Sequence, residues 1–182
     1  GRSARHALNT ERERSDGWCR TIVDDRRMKF LCDEMLKGLA RWLRIAGHDA
    51  AMEPDGTPDR RLIERAAAEG RLLLTRDRTL LQIRDAPRVV VLLAGNDLAS
   101  CVRELDRRLH IDWLHQPFSR CSRCNTPLVA AVRTPGSSWP SDIREAYECT
   151  VWRQYYWHGG HVERMLRRLQ QWSDSRADET AH

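Results

Sequence analysis

From Met28 to about His110 the chain alternates short apolar runs with amphipathic stretches, and few architectures accept that rhythm. Each run is long enough for a strand but too short for a buried helix, while the stretches between them repeat apolar residues at helical spacing. The pattern predicts strands over 29–32, 48–52, 71–75 and 88–93, with helices over 34–46, 58–69, 77–83 and 97–109. Strands joined through helices pair in parallel, so the expectation is an α/β fold: a mostly parallel sheet flanked by helices. Local signals agree. Thr57 is placed to cap the second helix, with Pro58 at its first position and Gly70 just beyond its end. In the first helix Leu36, Leu39, Leu43 and Ala46 form an apolar stripe, while Lys37, Arg41 and Arg44 recur on another face.

An open parallel sheet builds its ligand crevice from the loops at the carboxyl ends of its strands. Asp33, Asp77 and Asp97 each follow a strand there, and Asp59 lies in the first turn of the helix after the second strand. Carboxylates gathered at one edge repel one another unless cations share the site, which points to Mg²⁺ or Mn²⁺ held by Asp33, Asp59 and Asp77. Two such ions can position a water nucleophile and stabilise the leaving oxygen of a phosphodiester. Taken singly, each aspartate is also a plausible helix cap or first-turn acid. Capping does not explain why Lys37, Arg41 and Arg76 crowd the same edge. Asp33, Asp59, Asp77 and, more weakly, Asp97 are therefore candidate catalytic residues, and Lys37, Arg41, Arg44 and Arg76 candidate RNA contacts.

Of the 31 basic residues only Lys29 and Lys37 are lysines, so the positive charge is almost wholly arginine, which grips phosphate bidentately. A sequence pI near 9.1 fits a nucleic-acid partner as readily as it fits an Arg-rich composition. The six cysteines are scattered and no signal-peptide core opens the sequence, so a reducing cytoplasm is the expected location. The longest apolar run, Val89 to Ala94, is too short to cross a bilayer, and no membrane role is expected. Residues 1–27 are polar and without periodicity; they read as a flexible arm, or as extension upstream of a start at Met28.

After about residue 115 the pattern changes to a loop-rich segment with Pro117, Pro127, Pro135, Gly136 and Pro140. Residues 116–172 read as a small module, including a last amphipathic helix over about 161–172, and 173–182 as a disordered tail. Cys121-x-x-Cys124 opens this module and Cys149 follows. Structural zinc wants four such ligands, and here His158, His161 or His115 would have to supply the last. The other reading is a metal-free module packed by Trp139, Trp152, Tyr155, Tyr156 and Trp157. The run Tyr155–His161 could stack bases, with Arg153 and Arg164 nearby, but is more simply the module's core, with His161 near the start of the last helix.

MKFLCDEMLKGLARWLR (28–44), PDRRLIERAAAEGRLLLTRD (58–77), VVVLLAGND (89–97), the Cys121-x-x-Cys124 pair and YYWHGGH (155–161), in that order, closely resemble the Mut7-C ribonuclease family, a PIN-like domain followed by a zinc ribbon. The resemblance runs from Met28 to about Leu169. It implies a PIN-type nuclease domain over 28–115 and a zinc-ribbon-like module after it. Within that frame Asp33 corresponds to the acid after the first strand, and Asp59 and Asp77 to the later pair. A further acid is expected between these positions, with Asp49, Glu53 and Asp55 all open. The second knuckle departs from the family pattern, because Cys149-Thr-Val-Trp152 has tryptophan where the last cysteine belongs.

The leading expectation is a Mg²⁺- or Mn²⁺-dependent endoribonuclease. A non-catalytic RNA-binding module that retains the fold is the alternative. A nucleotide-binding or receiver domain fits the alternation but lacks a glycine-rich phosphate loop.

Overall fold

The computed structural model describes the backbone of residues 28–180 and the side chains of 28–175; the arm read into residues 1–27 lies outside the described residues. Four parallel strands, β1 (Lys29–Cys32), β2 (Asp49–Met52), β3 (Leu72–Thr75) and β4 (Val90–Leu92), form a sheet in the order β2-β1-β3-β4. Phe30 pairs with Ala50 on one side and Leu72 on the other, and Leu74 with Val91. The helices α1 (Lys37–Ile45), α2 (Asp59–Glu69) and α3 (Leu98–Leu109) connect and cover the strands. This is the α/β architecture that the alternation dictates.

Two apolar clusters fill the faces of the sheet. Phe30, Leu39, Leu43, Leu74, Leu105 and Trp113 belong to one, while Leu31, Ile63, Ala66, Leu73 and Leu80 belong to the other. Successive β1 residues thus face opposite ways, as a strand buried on both sides requires. Several boundaries differ from expectation. The first helix opens as a 3₁₀ turn over Glu34–Leu36, the 77–83 segment is a 3₁₀ helix over Arg78–Gln82, and another 3₁₀ turn, Ala86–Arg88, shortens β4 at its start. Thr57 does not cap α2; its hydroxyl donates to the carbonyl of Pro54 at 2.7 Å and Pro58 takes the cap position. Gly70 ends α2 as expected, at φ 61° and ψ 42°. α1 ends in a Schellman arrangement, with the amides of Gly47 and His48 donating to the carbonyls of Arg44 and Leu43. Gly47 sits at φ 98°, and a Cβ there would lie 2.3 Å from the Gln116 carbonyl oxygen, so no other residue fits.

The segment after α3 is woven into the core, with Ile111 and Trp113 fully buried. It leads through the Cys121–Cys124 loop to a three-stranded antiparallel sheet, β5 (Val129–Ala130), β6 (Ala146–Glu148) and β7 (Tyr155–Trp157), with Cys149 in the turn between β6 and β7. The last helix, α4 (Gly160–Thr180), runs past Trp172 because no glycine or proline stops it. The sequence groups this helix with the cysteine module, but it packs on the α/β core: Leu169 is fully buried there, and Trp172 lies 5.0 Å from Trp42 and 4.9 Å from Trp113.

Candidate active site and cysteine centre

At the carboxyl ends of β1 and β3 lies a cleft of about 420 Å³ lined by Asp33, Glu34, Glu53, Asp59 and Asp77 together with Cys32, Thr57 and Leu62. Five carboxylates and no basic side chain line it. The elements explain the placement. Asp33 leaves β1 in extended conformation and makes no side-chain cap bond; its carboxylate instead accepts a hydrogen bond of 2.8 Å from the Thr75 hydroxyl. That hydroxyl also accepts the Asp77 amide at 3.0 Å, so buried Thr75 ties the two acids together. Asp77 caps the 3₁₀ helix, but both bonds, from the Thr79 amide and hydroxyl, fall on Oδ1 and leave Oδ2 for another partner. Asp59 sits in the first turn of α2, whose N-terminal partial positive charge favours an anion. Its carboxyl is nevertheless held above the usual aspartate range, first by burial and then by the charges of Asp77 and Asp33. That repulsion is the mark of acids gathered without a cation of the protein's own.

The donor set is hard oxygen, which fits Mg²⁺ or Mn²⁺. Cys32, in the wall of the same cleft, is no nucleophile: burial pushes its thiol up to about 12.

Of the three open acids, Glu53 is the one in this cleft, where Arg65 meets it from behind at 3.0 Å. Asp49 is instead held by Arg71 at 2.7 Å and by Asn125 at 2.7 Å, and Asp55 pairs with Lys37. Sequence reasoning passed over Glu34, which accepts the Gly56 amide at 2.8 Å, and Thr75 as the link between acids. A threonine closing the run Leu72-Leu73-Leu74 was the available signal for the second.

The remaining expected site residues are dispersed. Asp97 is not in the cleft: it forms a capping box with Ser100 at the start of α3, and those hydrogen bonds hold its carboxyl below the ordinary range. Arg76 points away, donating to Asn96 at 3.0 Å. Lys37 and Arg41 share an exposed face of α1 beside a groove, and Arg44 lines the same groove but is buried beneath the cysteine module. Arg44 is buried, and its guanidinium donates to the carbonyls of Ala50 at 2.7 Å, Arg123 at 2.8 Å and Ser122 at 3.4 Å. It bridges the α/β core and the cysteine module. Asn125 works beside it, accepting the Ala50 amide at 3.0 Å, so the two side chains close the edge of β2 that no strand covers.

Among the described residues, Cys121, Cys124 and Cys149 are the group of three whose ligand atoms lie within 4.8 Å of one another. The two knuckles have the same backbone. The Cys121 amide donates to the Thr126 carbonyl and its carbonyl accepts the Asn125 amide; the Cys149 amide donates to Gln154 and its carbonyl accepts Arg153. Asn125 and Arg153 both take positive φ, 72° and 54°. The second loop is thus a metal knuckle in shape with Trp152 at the fourth ligand position. Among the described residues no histidine joins the cysteines; His115 stacks on His48 at 5.2 Å and His161 lies in the first turn of α4. The nearest polar newcomer is the Tyr156 hydroxyl, 3.2 Å from the Cys121 sulfur. Burial opposes ionisation of Cys121, but the Tyr156 hydrogen bond and the amides of Cys124 and Arg123 outweigh it and bring the thiol down to about 7. Tyr155 packs on Trp139 at 4.6 Å, while Tyr155, Tyr156 and Trp157 are all half-buried.

A family model for the Mut7-C RNAse domain matches residues 28–169. The chain belongs to the Mut7-C RNAse domain family. Human exonuclease mut-7 homolog is 34% identical over 107 residues, covering 57% of this chain and 12% of that protein's length. The Mut7-C chain therefore spans a small part of that relative. No solved structure matches it. The chain is thus a member of a nuclease family, with an acid cleft at the sheet edge and a three-cysteine group able to hold a metal ion. Among the described residues no helix is long and apolar enough to cross a membrane.

Proposed function

We propose that the Mut7-C chain is a metal-dependent ribonuclease that cleaves RNA phosphodiesters, as an endonuclease, at the cleft of Asp33, Asp59 and Asp77. The observation that carries this reading is a cleft lined by five carboxylates without a basic side chain, in which burial first and then the charges of Asp77 and Asp33 raise the Asp59 carboxyl above its ordinary range. Asp33, Asp59 and Asp77 would hold Mg²⁺ or Mn²⁺, with Glu53 at the margin; when bound, such ions activate water and neutralise charge on the phosphate. Thr75 fixes the separation of Asp33 and Asp77, and Asp77 keeps one carboxylate oxygen out of its capping bonds. Lys37 and Arg41 on α1 offer the phosphate backbone its counter-charge beside this edge. Cys121, Cys124 and Cys149 would hold zinc as a structural ion that fixes the knuckle loops.

The test is cleavage of labelled single-stranded RNA by purified protein with Mg²⁺, with Mn²⁺ and with chelator. Internal cuts that require the metal support the proposal. RNA binding without metal-dependent cleavage replaces it with a non-catalytic RNA-binding module.

A further inference from the structure

A second concavity of about 490 Å³ lies between α1 and the knuckle loops, with Lys37, Arg41 and the buried Arg44 on one wall and Ser122, Arg123 and Gln154 on the other. Glu53 lines both this groove and the acid cleft, so the two adjoin at that side chain. The groove's cations are available to a polyanion. Arg41 and the Arg123 side chain have no ionic partner among the described residues. Lys37 and Asp55 pair in the open, 58% and 63% exposed, where water and phosphate compete for the lysine. Glu53, the other acid, is already met by Arg65.

Trp152 gives the groove its particular character. It occupies the ligand position of the second knuckle yet cannot bind metal, and it is 47% exposed rather than packed into the module. Its ring carries the Arg123 guanidinium, centred 3.6 Å above it. Arg123 lies within the first knuckle, and its carbonyl is held by Arg44 at 2.8 Å, so backbone and side chain are both fixed at the rim. An arginine whose side-chain entropy is already spent loses less on gripping a phosphate.

We propose that this groove binds single-stranded RNA, its phosphates running past Arg123, Arg41 and Lys37 toward the acid cleft, with Trp152 as the positioning residue that holds Arg123. A positive groove bordered by an aromatic ring is the arrangement that suits an unpaired strand, which bends into a cleft between two modules as a stiff duplex does not. The inference deepens the ribonuclease reading and rests on it for the direction of the strand.

The experiment measures binding of a labelled single-stranded RNA to the full chain in chelator, across a salt series, for wild type, Arg123→Ala, Trp152→Ala and Trp152→Phe. Expected is weaker binding by Arg123→Ala across sequences, with the slope of log affinity against log salt reduced by about 0.7. Trp152→Ala should reproduce part of that loss, and Trp152→Phe should recover it. Thermal midpoints check that each variant is folded. In metal, Arg123→Ala should raise KM for long RNA by a larger factor than it lowers kcat. Unaltered affinity and slope in Arg123→Ala, or equal loss for a duplex of the same sequence, would overturn the groove while leaving cleavage standing. If wild type binds RNA through Arg123 but never cleaves, the groove stands and the nuclease reading falls.

Discussion

Arg44 gives the sharpest test of how the two modules are joined. Its side chain is 5% exposed and feeds the carbonyls of Ala50, Arg123 and Ser122, so Arg44→Met keeps the aliphatic stem but strands the acceptors. A buried acceptor left alone costs about 1–3 kcal/mol. The two short bonds, to Ala50 and Arg123, therefore set a loss of roughly 2–6 kcal/mol, from which relief of the guanidinium's own desolvation subtracts a part. A net destabilisation near 3 kcal/mol remains, a fall of roughly 10 °C in thermal midpoint for a chain of this size. Arg44→Lys should recover little, because an ammonium cannot reach three carbonyls as a planar fork does. Thermal and urea unfolding of wild type and both variants provide the assay, with RNA binding measured on the folded proteins. The salt slope of binding should stay at the wild-type value in both. A variant as stable as wild type, or one that loses a phosphate's worth of salt dependence with its stability intact, would refute the bridging role and return Arg44 to the RNA-facing surface.

Asp59 predicts a trade between stability and site chemistry. Its folded pKa is raised, so the stability it contributes is present below the unfolded value near 3.8 and is lost as pH rises through the folded one. At neutral pH Asp59→Asn should therefore raise stability by no more than about 1 kcal/mol, because the group is largely solvated, read as a higher thermal midpoint, and the gain should vanish below pH 3.8. Added Mg²⁺ should stabilise wild type more than this variant; equal stabilisation would count against Asp59 as a ligand. Trp152→Cys completes the second knuckle and should raise zinc content by elemental analysis and retention against a chelator, since the backbone around Cys149 already matches that around Cys121. No zinc in either protein would make the module metal-free. Asp97→Ala should lower the thermal midpoint through loss of the α3 cap and leave kcat unchanged; abolished cleavage in a folded variant would place Asp97 in the machinery.

The sheet was legible because buried parallel strands must be written as apolar runs and their connections as amphipathic helices. Asp33, Asp59 and Asp77 line one cleft because the loops after β1 and β3 and the start of α2 open at the same edge of a parallel sheet. The burial of Arg44 was hidden for a physical reason: helical spacing says that a residue shares a face with Lys37 and Arg41, but not that a second module covers the end of that face. Asp97 and Asp77 have the same local signature, an aspartate before a helix, and only the tertiary position of that helix separates a cap at the cleft from a cap outside it. Thr57 lost its cap role to the turn at Pro54, a competition between neighbouring hydrogen bonds that sequence does not rank. Glu53 differs from Asp49 and Asp55 in lining the cleft, not in lacking an ionic partner, and that tertiary placement is not written in local sequence. The reach of α4 onto the α/β core was hidden because its apolar spacing does not name the surface it meets.

Asp33 tests the central claim most directly, since its carboxylate does no capping and is tied to Asp77 through Thr75. Cleavage of a labelled single-stranded RNA under single turnover in Mn²⁺ should be abolished by Asp33→Asn, while affinity for the same RNA in chelator stays equal or rises, because a negative charge facing phosphate has been removed. Cleavage at the wild-type rate by a folded, RNA-binding Asp33→Asn protein would contradict the assignment of the acid cleft as the catalytic centre.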